Sequence, residues 1–141
     1  MSKYIMRECT TGDVDCIVNG LLDYNLSKVP QIQERDFIRI DRVIERANGE
    51  IIAGILGKMY YWNCLYIDIL WVNEAYRKEG FGSRLLKEVE NIAKEKGCYL
   101  IHLDTFDFQA KDFYVKYGYE VFGTLDDCPQ EHKRYFLKKN I

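Results

Sequence analysis

A mixed α/β sheet, mostly antiparallel, with about six to seven strands and about four flanking helices, is the fold class this sequence predicts. Three observations lead to it. Strand-like segments from Ile38 to Val72 follow one another without helices between them, whereas strand, helix, strand, helix and strand alternate after the central turn. Between the two regimes a nearly continuous apolar run, Leu65 to Val72, leads through a glycine-bearing turn into a long amphipathic helix, the pattern of a right-handed crossover joining parallel strands.

The elements follow in order. Tyr4 to Glu8 reads as a short first strand, and Thr10 and Thr11 cap a helix whose apolar positions Val14, Ile17, Val18, Leu21 and Leu22 recur at helical spacing. Asn25 to Asp36 is polar and poorly patterned, a loop with a turn of helix. Ile38 to Arg46 and Glu50 to Tyr61 are rich in β-branched and aromatic residues, and Asn48-Gly49 between them tolerates positive φ, so the pair is a hairpin. Leu65 to Val72, interrupted only by Asp68, reads as a central strand covered on both faces.

The helix after the turn runs to about Lys96, with Leu85, Leu86, Val89, Ile92 and Ala93 as its apolar stripe, Glu90 and Lys94 on its wet side and Gly97 as its C-terminal cap. Tyr99 to Thr105 is a further strand, Phe108 to Tyr117 a short helix stopped by Gly118, and Tyr119 to Gly123 and Lys133 to Lys138 the closing strands.

With 141 residues, close to half of them apolar, the chain is expected to form one domain spanning residues 1–141. Its net charge is −2, from 20 basic and 22 acidic residues interleaved throughout, so no one-sign block offers itself to nucleic acid or to an anionic membrane. The N-terminus lacks the pattern of a signal peptide and no apolar run approaches the ~20 residues of a bilayer crossing, so a soluble, cytoplasmic protein is expected. Five scattered cysteines without a Cys-x-x-Cys pair, and only His102 and His132 as co-ligands, support neither a disulfide framework nor a metal site. Oligomeric state stays open, a homodimer included.

The chemistry concentrates in Val72 to Ser83, which leaves a strand and opens a helix. A helix start presents unpaired backbone N–H groups at the positive end of its dipole, and Gly80 and Gly82 let an anion approach them. Arg77 and Lys78 add isolated positive charge; a plain strand-to-helix connection is the alternative for such a loop seen alone. Neither the P-loop nor the dinucleotide-fold spacing occurs.

Arg77-x-x-Gly80-x-Gly82 after a strand resembles the pyrophosphate loop of the GNAT superfamily of acyl-CoA-dependent N-acyltransferases. Downstream, Gln109-Ala110-Lys111-Asp112-Phe113-Tyr114-Val115-Lys116-Tyr117-Gly118-Tyr119-Glu120 resembles that family's helix-to-strand signature, with Ala110, then Tyr114, then Lys116-x-Gly118-Tyr119. The two motifs stand in the expected order, and the likeness covers roughly Glu50 to Phe136. It implies a GNAT-like fold, acetyl-CoA as co-substrate, and cofactor contacts at Leu70, Trp71, Val72, Arg77, Lys78, Gly80, Phe81, Gly82 and Ser83. Many members carry Asn where this chain has Asp107; a carboxylate does not welcome a phosphate, so Asp107 is left off that list.

The resemblance further implies direct attack of an amine on the thioester, with charge on the carbonyl oxygen held by strand backbone N–H, and so no nucleophilic cysteine. Tyr114 is the candidate acid for the leaving thiolate, with a core aromatic as its other reading. Asp68 is the candidate base, since a carboxylate inside an apolar strand needs a partner or a purpose; a structural hydrogen-bond acceptor is its other reading. His102 reads as a core residue, and Asp126 and Asp127 as turn carboxylates that could also face a cationic acceptor. The function expected is acetyl transfer to the primary amine of a small molecule; a protein amine, or an acyl-CoA-sensing module without turnover, are the alternatives.

Overall fold

A computed structural model of the chain describes residues 3–141; Met1 and Ser2 lie outside the described residues. The chain forms two compact units, Met1–Gln31 and Ile32–Ile141. The first holds helix α1, Thr11–Lys28. Its start is a capping box: Thr10 Oγ1 accepts the Asp13 N–H, and the Asp13 carboxylate accepts the Thr10 N–H at 2.8 Å. The strand expected over Tyr4–Glu8 does not form. Those residues join no ladder, Tyr4, Ile5 and Met6 are exposed, and Arg7 instead pairs with Asp13 at 2.6 Å. Helix α1 also continues through Lys28 into the segment expected to be loop.

The second unit contains β1 (Phe37–Glu45), β2 (Ile51–Tyr60), β3 (Cys64–Val72), helix α2 (Phe81–Glu95), β4 (Leu100–Phe106), helix α3 (Lys111–Lys116), β5 (Glu120–Asp126) and β6 (Lys133–Asn140), with a short 3-10 turn over Glu74–Tyr76. The strands form one six-stranded sheet in the order β1-β2-β3-β4-β6-β5, antiparallel except where β3 runs parallel to β4. Among the described residues there are thus six strands and three α-helices, within the expected fold class and one helix fewer than expected. None of these helices is long and apolar enough to cross a membrane.

One face of the sheet carries the core. Leu85, Leu86, Val89 and Ala93 of α2 and Tyr114 of α3 pack with Ile38, Ile40, Ile55, Met59, Leu65, Ile67, Ile101, Leu103 and Leu137 from the strands. The opposite, outer face follows from the two-residue alternation and carries Tyr66, Ile69, Trp71, His102, Asp104, Arg134 and Phe136. Strand β3 is therefore not covered on both faces as its composition suggests: Ile69 is 50% and Trp71 43% exposed.

Two local expectations also change. Glu90 is not on the wet side of α2, because its carboxylate accepts hydrogen bonds from the Tyr119 hydroxyl at 2.8 Å and Lys139 Nζ at 3.0 Å. Helix α3 starts late because Gln109 Oε1 takes the Phe106 N–H and the Thr105 hydroxyl, which folds the preceding residues into a turn.

Candidate functional site

The site begins with an interrupted ladder. Strands β3 and β4 pair over Cys64↔Leu100, Leu65↔Ile101 and Tyr66↔His102, and no later residues of the two strands pair although both continue. On its other edge β3 stays paired with β2 as far as Ala53↔Val72. The two parallel strands thus part into a wedge that widens toward Val72, and the wedge-side backbone groups of β3 are free of a strand partner.

At the wide end the chain turns into α2. Gly80, with φ 81°, is the N-cap and has no side chain to offer the helix, so the first-turn amides of Phe81, Gly82 and Ser83 have no intrahelical acceptor and no cap. The left-handed conformation at Gly80 is one that L side chains rarely adopt, which is the local reason for glycine there. Gly82 faces the Phe113 ring of α3, where an added Cβ would make an ordinary contact at 3.5 Å. Arg77 Nε donates to the Val72 carbonyl at 3.2 Å and fixes the loop to the end of β3, while Lys78 is exposed. Unpaired amides, an exposed cation and no side chain at Gly80 fit an extended diphosphate.

Asp68 lies where β3 carries one residue more than β2: Leu56 pairs with Ile69 and Gly57 with Ile67, leaving Asp68 between them unpaired. This bulge turns its carboxylate to the outer face, where it is exposed and has no hydrogen bond or ion pair among the described residues. The expectation of a buried carboxylate is therefore corrected. Its charge adds a little to shifts set chiefly by other groups: Arg39 is raised mainly by its hydrogen bond to Asp41, and Tyr66 mainly by burial and its hydrogen bond to Asp104.

Tyr114 is buried, and burial pushes its phenol up to about 12. Its hydroxyl makes no hydrogen bond among the described residues, yet no fully buried side-chain oxygen or nitrogen there lacks a partner, so the oxygen reaches an accessible surface. Leu70 and Val72 pack onto the core from the wedge edge of β3. Asp107 is committed elsewhere, accepting from the Lys133 N–H at 2.9 Å and holding the His132 ring. Asp126 pairs with Lys133 and Asp127 accepts the Glu131 N–H, so both serve the turn they stand in.

An acetyltransferase (GNAT) family model matches residues 19–119. The chain belongs to the GNAT acetyltransferase family. This GNAT chain is 36% identical to a blasticidin-S acetyltransferase of Streptomyces morookaense over 66% of its own length and 68% of that protein's. It is 30% identical to an acetyltransferase of Agrobacterium fabrum over 99% of both chains. A crystal structure of an acetyltransferase from Bacillus cereus ATCC 14579 superposes with a TM-score of 0.93, at 39% identity over the whole of both chains. It is accordingly an acetyl-CoA-dependent acetyltransferase.

The GNAT chain also carries a polar group on the outer face that sequence reasoning missed. Tyr66 donates to Asp104 Oδ2 at 2.7 Å, and Asp104 Oδ1 accepts Arg134 Nε at 3.0 Å and Nη2 at 2.7 Å. His102 is half-buried on this face, with its Nε2 2.6 Å from the Tyr60 hydroxyl in a hydrogen bond; burial lowers the His102 pKa and raises that of Tyr60 to about 12. Strand alternation alone placed His102 and Asp104 on one face, but their partners come from β2, β3 and β6, which no spacing rule joins.

Proposed function

We propose that this GNAT enzyme transfers the acetyl group of acetyl-CoA to a primary amine of a small molecule by direct attack in a ternary complex, with residues 1–141 acting as one acetyltransferase domain. The observation that carries the reading is the uncapped N-terminus of α2, led by Gly80, at the wide end of the β3/β4 wedge. When bound, acetyl-CoA supplies an activated thioester carbonyl. The chain's own residues do the rest. The amides of Phe81, Gly82 and Ser83, with Lys78 and Arg77 beside them, hold the diphosphate. The free edge of β3 at Leu70, Trp71 and Val72 aligns the arm of the co-substrate by backbone groups, in place of the strand that β4 no longer provides.

Tyr114 keeps its proton throughout the neutral range because burial raises its phenol to about 12, so it serves as an acid for the leaving thiolate and not as a base. Asp68, exposed and unpaired at the bulge, attracts the ammonium form of the acceptor and takes its proton directly or through water. The blasticidin-S relative supports a small-molecule acceptor.

A thiol-release assay with acetyl-CoA and a panel of blasticidin S, thialysine, a polyamine and an N-terminal peptide tests the proposal. Amine-dependent release with a small-molecule member is expected. Release with the peptide alone would move the acceptor to proteins, and calorimetric binding of acetyl-CoA without any release would make the chain a sensor.

A further inference from the structure

The ladder between β3 and β4 ends at Tyr66↔His102, and the next tie between the strands is made by side chains. Tyr66 sits on that last rung, and its hydroxyl reaches Asp104, two residues farther along β4 on the same outer face. From Asp104 the chain of bonds continues through a two-nitrogen fork to Arg134 on β6, which pairs with Phe106 of β4. The Arg134 guanidinium is flanked by Phe106 and Phe136, at 5.6 and 5.3 Å from the ring centroids. Asp104 is 16% and Arg134 34% exposed, so the ion pair is partly shielded.

A backbone rung would have held the strands about 4.8 Å apart. Past the last rung, the Tyr66 phenol and the Asp104 carboxylate tie the two strands diagonally across the outer face, where the backbone no longer does. Because Arg134 neutralises Asp104, this link orients groups and does not attract charge, a task left to the unpaired Asp68.

We infer that Tyr66 and Asp104 are positioning residues for acetyl transfer: the Tyr66–Asp104–Arg134 clasp sets the width of the wedge at its apex and so the placement of the thioester against the incoming amine. The inference rests on the reading of the wedge as the acetyl-CoA site. A misplacement of about 1 Å at reacting atoms costs on the order of 10²-fold in rate, so a tie of this kind acts on turnover more than on affinity.

The test compares the full chain with Tyr66→Phe, Asp104→Asn, the double variant and Arg134→Lys. Calorimetry gives the acetyl-CoA Kd, thiol release with the best acceptor of the panel gives kcat, and amide exchange by NMR reports the apex. Expected are a Kd within about threefold of the parent, and a kcat lowered about 10²-fold in each single variant and no further in the double, since both break one link. Arg134→Lys, which keeps charge but loses the fork, lowers kcat by less. Exchange at Ile67, Asp68 and Leu103 accelerates about tenfold while Leu86 and Val89 of α2 stay unchanged, a pattern that general destabilisation does not give.

Unchanged kcat and exchange, additive losses in the double variant, or acceleration spread over all strands would each overturn the inference. If Asp104→Asn fails to fold, Tyr66→Phe, which removes a single oxygen, decides alone. A parent chain that binds no acetyl-CoA overturns the wedge reading and the clasp together; a binding parent with unaffected variants overturns only the clasp.

Discussion

Asp107 Oδ1 lies 2.9 Å from His132 Nδ1, and its second oxygen accepts the Lys133 N–H at 2.9 Å, so one carboxylate just past β4 anchors the start of β6. These contacts hold its pKa below the usual carboxylate range even though partial desolvation opposes them. A group with a depressed folded pKa contributes stability that is present above its unfolded value of about 3.9 and is lost as pH falls through the folded value. The parent is therefore expected to lose melting temperature below about pH 4 more steeply than Asp107→Asn. The acetyl-CoA Kd of the variant should stay within about twofold of the parent's, because the carboxylate serves the turn and not the co-substrate. Calorimetry and pH-dependent melting check both outcomes.

Tyr114→Phe removes one hydroxyl from a buried ring that makes no hydrogen bond among the described residues. Turnover is expected to fall about 10²-fold with little change in melting temperature, as loss of a general acid without loss of packing requires. The parent's phenol has its pKa raised to about 12, so its share of stability is intact below the unfolded value of about 10 and disappears as pH rises toward 12. An alkaline melting series should show this slope in the parent and not in the variant. No loss of kcat between pH 8 and 10 should trace to Tyr114.

Gly80→Ala and Gly82→Ala separate backbone strain from helix propensity. At Gly80, φ is 81°, and an alanine there is expected to cost about 1 kcal/mol through the left-handed conformation alone. Gly82 lies in the first turn of α2, and its added Cβ meets the Phe113 ring at 3.5 Å and Val72 Cγ2 at 3.7 Å, ordinary contacts, so the fold should hold or gain a few tenths of a kcal/mol. Urea denaturation measures the difference. A weaker acetyl-CoA Kd for Gly82→Ala, with unchanged stability, would report a methyl group in the path of the diphosphate.

Glu90→Ala leaves the Tyr119 hydroxyl and Lys139 without their shared acceptor on the inner side of the sheet. Tyr119 is 2% exposed, so its orphaned hydroxyl should make the substitution cost about 2 kcal/mol. Glu90→Gln, which retains an acceptor oxygen, is expected to cost about half as much. Denaturant midpoints of the two variants give the comparison.

Local chemistry determined much of this protein in the sequence by itself. The hairpin around Asn48-Gly49, the stripe of α2, the glycine turn before it and the Ala110–Tyr114 spacing are set by residues within a turn or two of one another, where periodicity, caps and positive φ act directly. The fold class was legible for that reason, and the family through the likeness of Arg77–Gly82 and Gln109–Glu120 to its signatures. Tertiary structure alone decided which polar groups meet. Asp68 became exposed because β3 gains a residue against β2, Glu90 left the solvent because Tyr119 and Lys139 arrive from distant positions, and Tyr66, Asp104 and Arg134 joined across three strands. A bulge, or a side-chain tie between strands far apart in the chain, depends on the register of pairing, and register is a property of the assembled sheet that no single segment encodes.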